Sequence, residues 1–85
     1  MYNLKILKAV ADETRLDILL TLLKGEKTVS EITEIIKKSQ PNTSIALKKL
    51  ENVDLISMYK DKRNVIYKMK NKELVEKLLS LIKNG

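Results

Sequence analysis

The sequence of 85 residues predicts one mainly α-helical domain that carries a single small β-hairpin. Apolar residues recur at intervals of three and four along most of the chain, which is the spacing of an amphipathic helix. The interval changes to two only between residues 56 and 69, as in a β-strand. An apolar content of 44%, with three tyrosines as the only aromatic residues, indicates one core packed from aliphatic side chains. We therefore expect residues 1–85 to form a single domain.

Two helices are predicted in the first part of the chain. The spacing of Leu4 and Leu7 predicts a first helix over residues 2–10. Asp12 is a suitable N-cap for a second helix, and Gly25 offers a C-terminal stop. The apolar residues of this second helix are Leu16, Ile18, Leu19, Leu20, Leu22 and Leu23. Because they form more than one apolar edge, we expect the helix to be central and covered on more than one side.

Two further helices follow, with a short connection between them. The segment Thr28-Val29-Ser30-Glu31 has the pattern of a capping box, in which the Thr28 hydroxyl and the Glu31 carboxylate each accept a backbone N–H. Ser39 can cap the next helix, whose first turn tolerates Pro41 because early N–H groups have no partner within the helix. Two short helices joined by about three residues form a helix-turn-helix. Their predicted inward faces are Val29, Ile32, Ile35 and Ile36 in the third helix and Thr43, Leu47 and Leu50 in the fourth.

A β-hairpin is predicted after the fourth helix. Val65, Tyr67 and Met69 alternate with residues of the opposite face, and residues 56–59 form a comparable run upstream. The basic segment 60–64, here named the wing, separates the two runs, and its residues Asp61 and Asn64 favour tight backbone geometry.

A last helix is predicted over residues 72–83, with Asn71 as its N-cap. Its apolar residues form two adjacent stripes that together span about 160° at helical pitch, which is too wide for one contact. The stripes are Leu74, Leu78 and Leu81 on one side and Val75, Leu79 and Ile82 on the other. The full order, α-α-α-α-β-β-α, is that of a winged helix-turn-helix.

The positive charge lies in the middle of the sequence. The formal net charge is +6, and residues 37–70 alone hold nine basic and three acidic side chains, whereas residues 1–36 have a net charge of −1. The basic span includes the predicted helix-turn-helix connection, the fourth helix and the wing. This asymmetry favours a surface that binds a polyanion over the alternative of an ordinary solvated lysine-rich surface.

The composition also excludes several classes of function. The chain contains no cysteine and no histidine, which removes soft-metal sites, thiol nucleophiles and Ser-His-Asp catalysis. Only two glycines are present, so no glycine-rich phosphate loop exists. We expect no enzymatic activity and no cofactor. Because no apolar run reaches the roughly 18 residues of a membrane span and no secretory signal opens the chain, we expect a cytoplasmic protein with no membrane partner.

Several motifs follow one another in a characteristic order along the chain. Residues 11–19 fit the pattern A-D-x-T-R-L-x-I-L, residues 28–32 are similar to T-V-S-E-L, and residues 39–50 fit S-Q-P-x-x-S-x-x-L-x-x-L. Together these motifs resemble those of ArsR-type transcriptional repressors, and Leu55-Ile56 and the pair Tyr67 and Met69 match that family's hairpin pattern. The resemblance implies a homodimer that places recognition helix 40–51 in the DNA major groove and the wing on the flanking backbone or minor groove.

The sequence departs from this family pattern at four positions. Lys37-Lys38 stand where the family often has Gly-Leu, Ile45 stands where a polar or basic residue is usual, and Ala46 replaces a common histidine. The metal-sensing members use cysteine or histidine pairs. Because this chain has neither residue type, we expect no soft-metal ligand.

The predicted DNA contacts lie on the fourth helix, in the connection before it and in the wing. Gln40 can bond bidentately to adenine, or it can merely serve the helix start. Ile45 can press on a thymine methyl, or it can pack against the hairpin or a neighbouring protein. Arg63 suits a narrow minor groove, or the wing can be simply a soluble turn. The complete set is Lys37, Lys38, Ser39, Gln40, Asn42, Thr43, Ser44, Ile45, Lys48, Lys49, Lys60, Lys62 and Arg63.

The sequence thus predicts a dimeric transcriptional regulator, most simply a repressor, that binds double-stranded DNA with sequence specificity. A symmetric dimer would hold two recognition helices about 34 Å apart, which matches a pseudo-palindromic site. The alternative is a winged-helix module for protein interaction or assembly that binds nucleic acid only without specificity. The predicted dimer interface, on the terminal helices 2–10 and 72–83, consists of Leu4, Leu7, Leu74, Leu78, Leu81 and Ile82.

Overall fold

A computed structural model of the protein describes residues 4–83. It is mainly helical with a small antiparallel sheet, as the sequence predicts; positions 2 and 3 of the predicted first helix lie outside the described residues. The helices are α1 (Leu4–Val10), α2 (Glu13–Leu23), α3 (Val29–Ile36), α4 (Gln40–Asn52) and α5 (Lys72–Lys83). The strands are β1 (Lys27–Thr28), β2 (Ile56–Asp61) and β3 (Asn64–Met69).

The short strand β1 is missing from the sequence prediction. It pairs antiparallel with β3, Lys27 opposite Tyr67 and Thr28 opposite Ile66, so the sheet has the order β1-β3-β2. Two residues are too few to show an alternating pattern, and Thr28 already carries the capping pattern of the helix that follows. The consequence of β1 is that the hairpin is joined directly to the start of the helix-turn-helix.

The four N-caps expected from the sequence are confirmed. Asp12 and Ser39 accept backbone N–H groups from Arg15 and Asn42, at 3.0 and 3.2 Å. Both hydrogen bonds of the capping box are present, at 2.8 Å from the Thr28 N–H to Glu31 and at 3.1 Å from the Glu31 N–H to the Thr28 hydroxyl. These bonds lower the pKa of Glu31, because its carboxylate accepts the Thr28 N–H. The fourth cap, Asn71, accepts the Leu74 N–H at 3.3 Å.

The core forms around α2, which packs against α1, α3, α4 and β3. From α2 it takes Ile18, Leu19 and Leu22, all buried, so the expected central helix is confirmed. The prediction that Leu20 and Ile35 also point inward is wrong, since both are about half exposed. Leu20 lies about 200° around the helix from Ile18, on the opposite side of α2. In α3 only Ile32 and Ile36, one turn apart, are buried, with Ile35 at the outer edge.

Two lysines adopt the left-handed conformation that glycine usually supplies. Lys37, directly after α3, has φ 58° and ψ 44°, and its N–H donates to the Thr33 carbonyl at 3.0 Å. The turn expected from the family's Gly-Leu pattern is therefore made by a lysine. Lys62 has φ 60° in the two-residue turn between β2 and β3. Asp61 and Asn64, which are expected to favour tight backbone geometry, are the first and last residues of this turn and pair with each other as the last rung of the ladder.

The wide apolar stripe of α5 divides into two parts. Val75 is fully buried, and Leu74, Leu78 and Leu79 pack against the core. Leu81 and Ile82, by contrast, are 75% and 49% exposed. The predicted dimer contacts Leu74 and Leu78 are thus partly used by the chain's own core, whereas Leu81 and Ile82 face outward. None of the helices within residues 4–83 is long and apolar enough to cross a membrane.

Candidate nucleic-acid interface

Helix α4 has one buried face and one exposed face. Thr43, Ala46, Leu47 and Leu50 are buried where α4 packs against α2 and α3. The remaining residues of the helix that were predicted to contact DNA, together with Lys37, Lys38 and Ser39 before it, are all exposed. These exposed residues of α4 are Gln40, Asn42, Ser44, Ile45, Lys48 and Lys49. The structure therefore places amide, hydroxyl and ammonium groups together on the outer surface of one helix.

Thr43 is the exception among the predicted contacts, and for this residue the prediction is wrong. Its side chain is fully buried, and its hydroxyl donates to the Ser39 carbonyl at 2.9 Å. A group buried in this way cannot reach an external ligand. The helical spacing had already placed Thr43 on the inward face with Leu47 and Leu50, and that interpretation is confirmed.

The start of α4 shows whether Gln40 is needed to cap the helix. The Ser39 hydroxyl accepts the Asn42 N–H and so caps the helix, which leaves its own hydrogen free to donate. Gln40 is exposed, and no hydrogen bond engages its side chain within residues 4–83. Because Ser39 alone serves as the cap, the Gln40 amide remains able to donate and accept at once.

The wing lies at the end of the hairpin. Lys60, Lys62 and Arg63 are all exposed, and Lys62 and Arg63 form the two-residue turn itself. At the other end of the hairpin Tyr67 and Met69 pack against the core. The hairpin therefore presents a group of cations at the end farthest from its hydrophobic anchor.

Contacts missed by the sequence analysis hold the hairpin in place. The Tyr59 hydroxyl donates to the Glu26 carboxylate, which raises the pKa of Tyr59, and the Lys68 ammonium lies 5.7 Å from the centroid of the Tyr59 ring. At the base of the hairpin, Lys70 and Asp54 form an ion pair at 3.3 Å. Glu26 and Tyr59 are 33 residues apart and meet only because β1 joins the sheet, so no local pattern could predict the contact.

Arg15 is a second residue whose role the sequence did not predict. Its side chain is only 14% exposed, and it donates from Nη2 to the Lys8 carbonyl at 3.1 Å and from Nε to the Ala9 carbonyl. Its guanidinium also lies 3.8 Å from the Asp12 carboxylate. Arg15 therefore joins the last turn of α1 to the first turn of α2. The only signal in the sequence was its place in the A-D-x-T-R pattern, which names no partner.

Two shallow clefts lie along one edge of α4. The first has a volume of about 210 Å³ and is lined by Asp12, Thr14, Arg15, Lys38, Asn42, Ile45 and Ala46. The second, of about 390 Å³, is lined by Lys5, Lys8, Ala9, Arg15, Lys49, Asn52 and Val53. Ile45 is 57% exposed in the first cleft, beside the start of α2. This position favours an external contact for Ile45 over packing against the hairpin of its own chain.

The described part of the chain offers no group of three or more acidic, cysteine or histidine side chains that could hold a metal ion. The exposed amides and hydroxyls of this surface can form hydrogen bonds with a ligand, and its cations can attract an anionic one.

Comparison with known proteins identifies relatives of this arrangement. The family model described as "Bacterial regulatory protein, arsR family" matches residues 12–58. The HTH-type transcriptional regulator KmtR of Mycobacterium tuberculosis is 26% identical over 81 residues, covering 95% of this chain and 62% of KmtR. A probable mercury resistance operon repressor of Streptomyces lividans is 35% identical over 63 residues, covering 74% of this chain and 50% of the repressor. The chain thus spans about half to three-fifths of the length of these curated relatives.

Solved structures resemble the fold over nearly the whole chain. NolR from Sinorhizobium fredii matches with a TM-score of 0.86 and 30% identity, covering 94% of this chain and 79% of NolR. Reduced HlyU from Vibrio cholerae matches with a TM-score of 0.81 and 33% identity, covering 92% of this chain and 85% of HlyU. The homodimeric winged helix-turn-helix DNA-binding domain of Mb0332 from Mycobacterium bovis, at 22% identity and a TM-score of 0.84, shows the fold alone over 94% of this chain and 76% of that domain.

Proposed function

Because this chain belongs to the arsR family of bacterial regulatory proteins, we propose that it is a repressor that binds a pseudo-palindromic DNA site as a homodimer. The family and the fold are those of DNA-binding transcriptional regulators and not of enzymes. The observation that carries the proposal is the exposed face of α4, where an unengaged Gln40 amide lies at the start of a helix that also presents Asn42, Ser44 and lysines. One of its relatives is a probable repressor, which supports repression rather than activation as the proposed effect on transcription.

In the proposed complex α4 lies in the major groove and the residues divide into two roles. Gln40 bonds to an adenine edge, Asn42 and Ser44 reach base edges or phosphates, and Ile45 contacts a thymine methyl. The remaining contacts position the protein on the backbone without reading sequence. They are Lys37, Lys38, Ser39, Lys48 and Lys49 at the helix, and Lys60 and Lys62 in the wing. Arg63 enters the adjacent minor groove.

The proposed dimer interface is smaller than the sequence indicated. Leu4 and Leu7 of α1 are each 54% exposed, and with Leu81 and Ile82 of α5 they supply apolar side chains that the described chain leaves uncovered. Leu74 and Leu78 contribute only their outer edges, because they also pack against the core. Two recognition helices related by the dimer axis would read two half-sites, which explains the expectation of a pseudo-palindromic site.

The first test is the salt dependence of DNA binding. Fluorescence anisotropy with a mixed-sequence duplex should show an affinity that falls steeply with ionic strength, with a log–log slope of about −0.9 per phosphate neutralised. The variant Lys62→Ala, Arg63→Ala should bind every duplex more weakly and reduce the magnitude of the slope by about two per protomer. A flat salt response, or no binding even at low salt, contradicts DNA binding and favours the protein-interaction module.

The second test concerns sequence reading by Gln40. Selection of bound genomic fragments with the purified protein would first define the cognate site. We expect Gln40→Ala to weaken binding to that site by about 1–3 kcal/mol and to change binding to random DNA little, because only the cognate adenine loses a bidentate partner. Lys48→Ala is the matched control, since loss of a phosphate contact should affect both duplexes alike. If Gln40→Ala weakened binding to cognate and random DNA equally, Gln40 would contact the DNA backbone and not a base.

A further inference from the structure

The hydrogen bond between Tyr59 and Glu26 connects the two outer strands of the sheet. Tyr59 lies on β2 and Glu26 lies directly before β1, so the bond spans β3, the strand between them. Tyr59 and Thr28 both pair with Ile66 of β3, and the three residues therefore form one row across the sheet. Two strand spacings, about 10 Å in total, separate the ends of such a row. The Tyr59 side chain thus ties one edge of the sheet to the other.

This cross-sheet bond reinforces a short backbone attachment. The strands β2 and β3 pair through six residue pairs, whereas β1 and β3 pair through two. A two-stranded hairpin without further support is marginally stable and twists more than a larger sheet. Ile56, Tyr67 and Met69 hold the base of the hairpin to the core, but residues 58–64 are all exposed. The bond from Tyr59 therefore acts closer to the wing than these core contacts do.

Tyr59 is placed to control the direction of the wing. It directly precedes the wing, and Lys62 lies three residues, or about 10 Å of strand, beyond it. The Tyr59 ring has a second contact, because Lys68 is its diagonal neighbour on the same face and places its ammonium 5.7 Å from the ring centroid. Glu26 lies in the short connection between α2 and β1, so both elements set its position. Fixing Tyr59 at Glu26 therefore limits how far the wing can swing.

We propose that Tyr59 and Glu26 are positioning residues for the wing, and that their hydrogen bond holds Lys62 and Arg63 where these cations meet DNA. This role rests on the proposed function, and neither Tyr59 nor Glu26 touches DNA in it. A wing that is held before binding loses less conformational freedom when it docks, so more of its attraction to phosphate appears as affinity. Because phosphate contacts carry no base information, the bond contributes to cognate and random DNA alike.

The test is Tyr59→Phe, which removes the hydroxyl and keeps the ring beside Lys68. Fluorescence anisotropy near 0.1 M salt should show affinity about three- to tenfold below that of the wild type on both duplexes, as expected for the loss of one hydrogen bond. In the background Lys62→Ala, Arg63→Ala the same substitution should change affinity by less than about twofold, because the cations that the bond positions are gone. An equal loss in both backgrounds would show that Tyr59 affects binding by another route and would overturn the proposal.

A second measurement follows the wing without DNA. Order parameters from backbone amide NMR relaxation should fall for Lys62 and Arg63 in Tyr59→Phe, while those of α4 stay near the value of about 0.85 that is typical of a rigid backbone. The thermal midpoint should change little, because Tyr59 and Glu26 are both exposed. Order parameters at the wing that match those of the wild type would contradict a positioning role.

Matched variants separate the hydrogen bond from the charge of Glu26 and from the loss of a hydroxyl. Glu26→Ala and Glu26→Gln remove the same charge, but only the glutamine keeps a side-chain oxygen that can accept from Tyr59. We expect Glu26→Gln to bind DNA at least about threefold more tightly than Glu26→Ala, and equal affinities would count against the hydrogen bond. Tyr67→Phe removes the same atom from β3, where the Tyr67 hydroxyl forms no hydrogen bond within residues 4–83. It should bind like the wild type, and a loss as large as that of Tyr59→Phe would overturn the proposal.

The same measurements distinguish failure of the positioning role from failure of the proposed function. If the wild type binds no duplex, the proposed function fails and the positioning role fails with it. If the wild type binds DNA, and Tyr59→Phe matches it in affinity and in the order parameters of the wing, only the positioning role fails. Weaker binding by Tyr59→Phe that disappears in the Lys62→Ala, Arg63→Ala background supports both.

Discussion

The variant Leu81→Glu, Ile82→Glu is expected to sediment as a monomer and to bind its cognate DNA at least about 100-fold more weakly than the wild type. Both side chains are substantially exposed at the end of α5, at 75% and 49%. In the proposed dimer they become buried against the partner, where an unpaired carboxylate is disfavoured by several kcal/mol. A monomer engages one half-site at a time and loses the gain that comes from linking two binding events.

The choice of Leu81 and Ile82 for this variant depends on the structure. On the sequence alone Leu78 and Leu81 are equivalent members of one stripe, and a glutamate at Leu78 would appear to be a suitable probe. Leu78, however, packs against the core together with Val75 and Leu79. A charge at that position would destabilise the fold, and a monomeric or aggregated product would then say nothing about the interface.

Analytical ultracentrifugation at several concentrations measures the mass, and anisotropy on the cognate duplex measures the affinity. Ile35→Glu is the matched control, since Ile35 is similarly exposed on α3 but belongs to no predicted interface. It should leave the mass unchanged. A Leu81→Glu, Ile82→Glu protein that remains dimeric, or an Ile35→Glu protein that dissociates, would place the interface elsewhere.

Local features of the fold were predictable from the sequence, and non-local ones were not. The four N-caps, the helix order and the hairpin follow from residues within a few positions of one another, and the structure confirms them. The Glu26–Tyr59 hydrogen bond depends on the pairing of β1, which consists of two residues and has no periodicity. Leu20 and Ile35 were expected to be buried because they are apolar and fit the helical spacing. Periodicity does not show which faces of a helix are covered by other elements, and both residues are exposed in the structure.

The predicted site shows the same limit. Residue type and helical spacing identified the exposed lysines and amides of α4. Thr43 has a suitable hydroxyl, but its side chain lies on the buried face of the helix and bonds to the Ser39 carbonyl, so its assignment as a DNA contact was wrong. Charge counted along the sequence also could not show that Lys8 and Lys49 line one cleft, because their proximity is set by the packing of α1 against α4 and not by sequence separation. A polyanion surface is a property of the folded chain, so its boundaries became visible only with the fold.

The largest stability effect is expected at Arg15, with Arg15→Ala lowering the free energy of unfolding by about 2–4 kcal/mol. The substitution removes two donors from the carbonyls of Lys8 and Ala9 at the end of α1, as well as the attraction to Asp12. Hydrogen bonds from a charged donor are worth about 1.5–3 kcal/mol each, and the lower part of the range allows for water reaching the vacated position. The described part of α1 contains 7 residues, and so short a helical segment depends on tertiary contacts such as these for its stability.

Urea unfolding followed by circular dichroism measures the effect, provided the slope with denaturant is unchanged between variants. Arg15→Lys is the matched control, because it keeps the charge but replaces a planar fork of donors with a single ammonium. We expect it to recover only part of the lost stability. A change of less than about 0.5 kcal/mol for Arg15→Ala would show that α1 is held by its apolar contacts alone.

Arg15 also allows stability and DNA contact to be told apart at one residue. If its guanidinium contacted phosphate, Arg15→Ala would weaken DNA binding at low urea and leave the unfolding midpoint in place. The observed bonds to two carbonyls predict the reverse order, in which α1 loosens first and DNA affinity falls only as a consequence of that loosening.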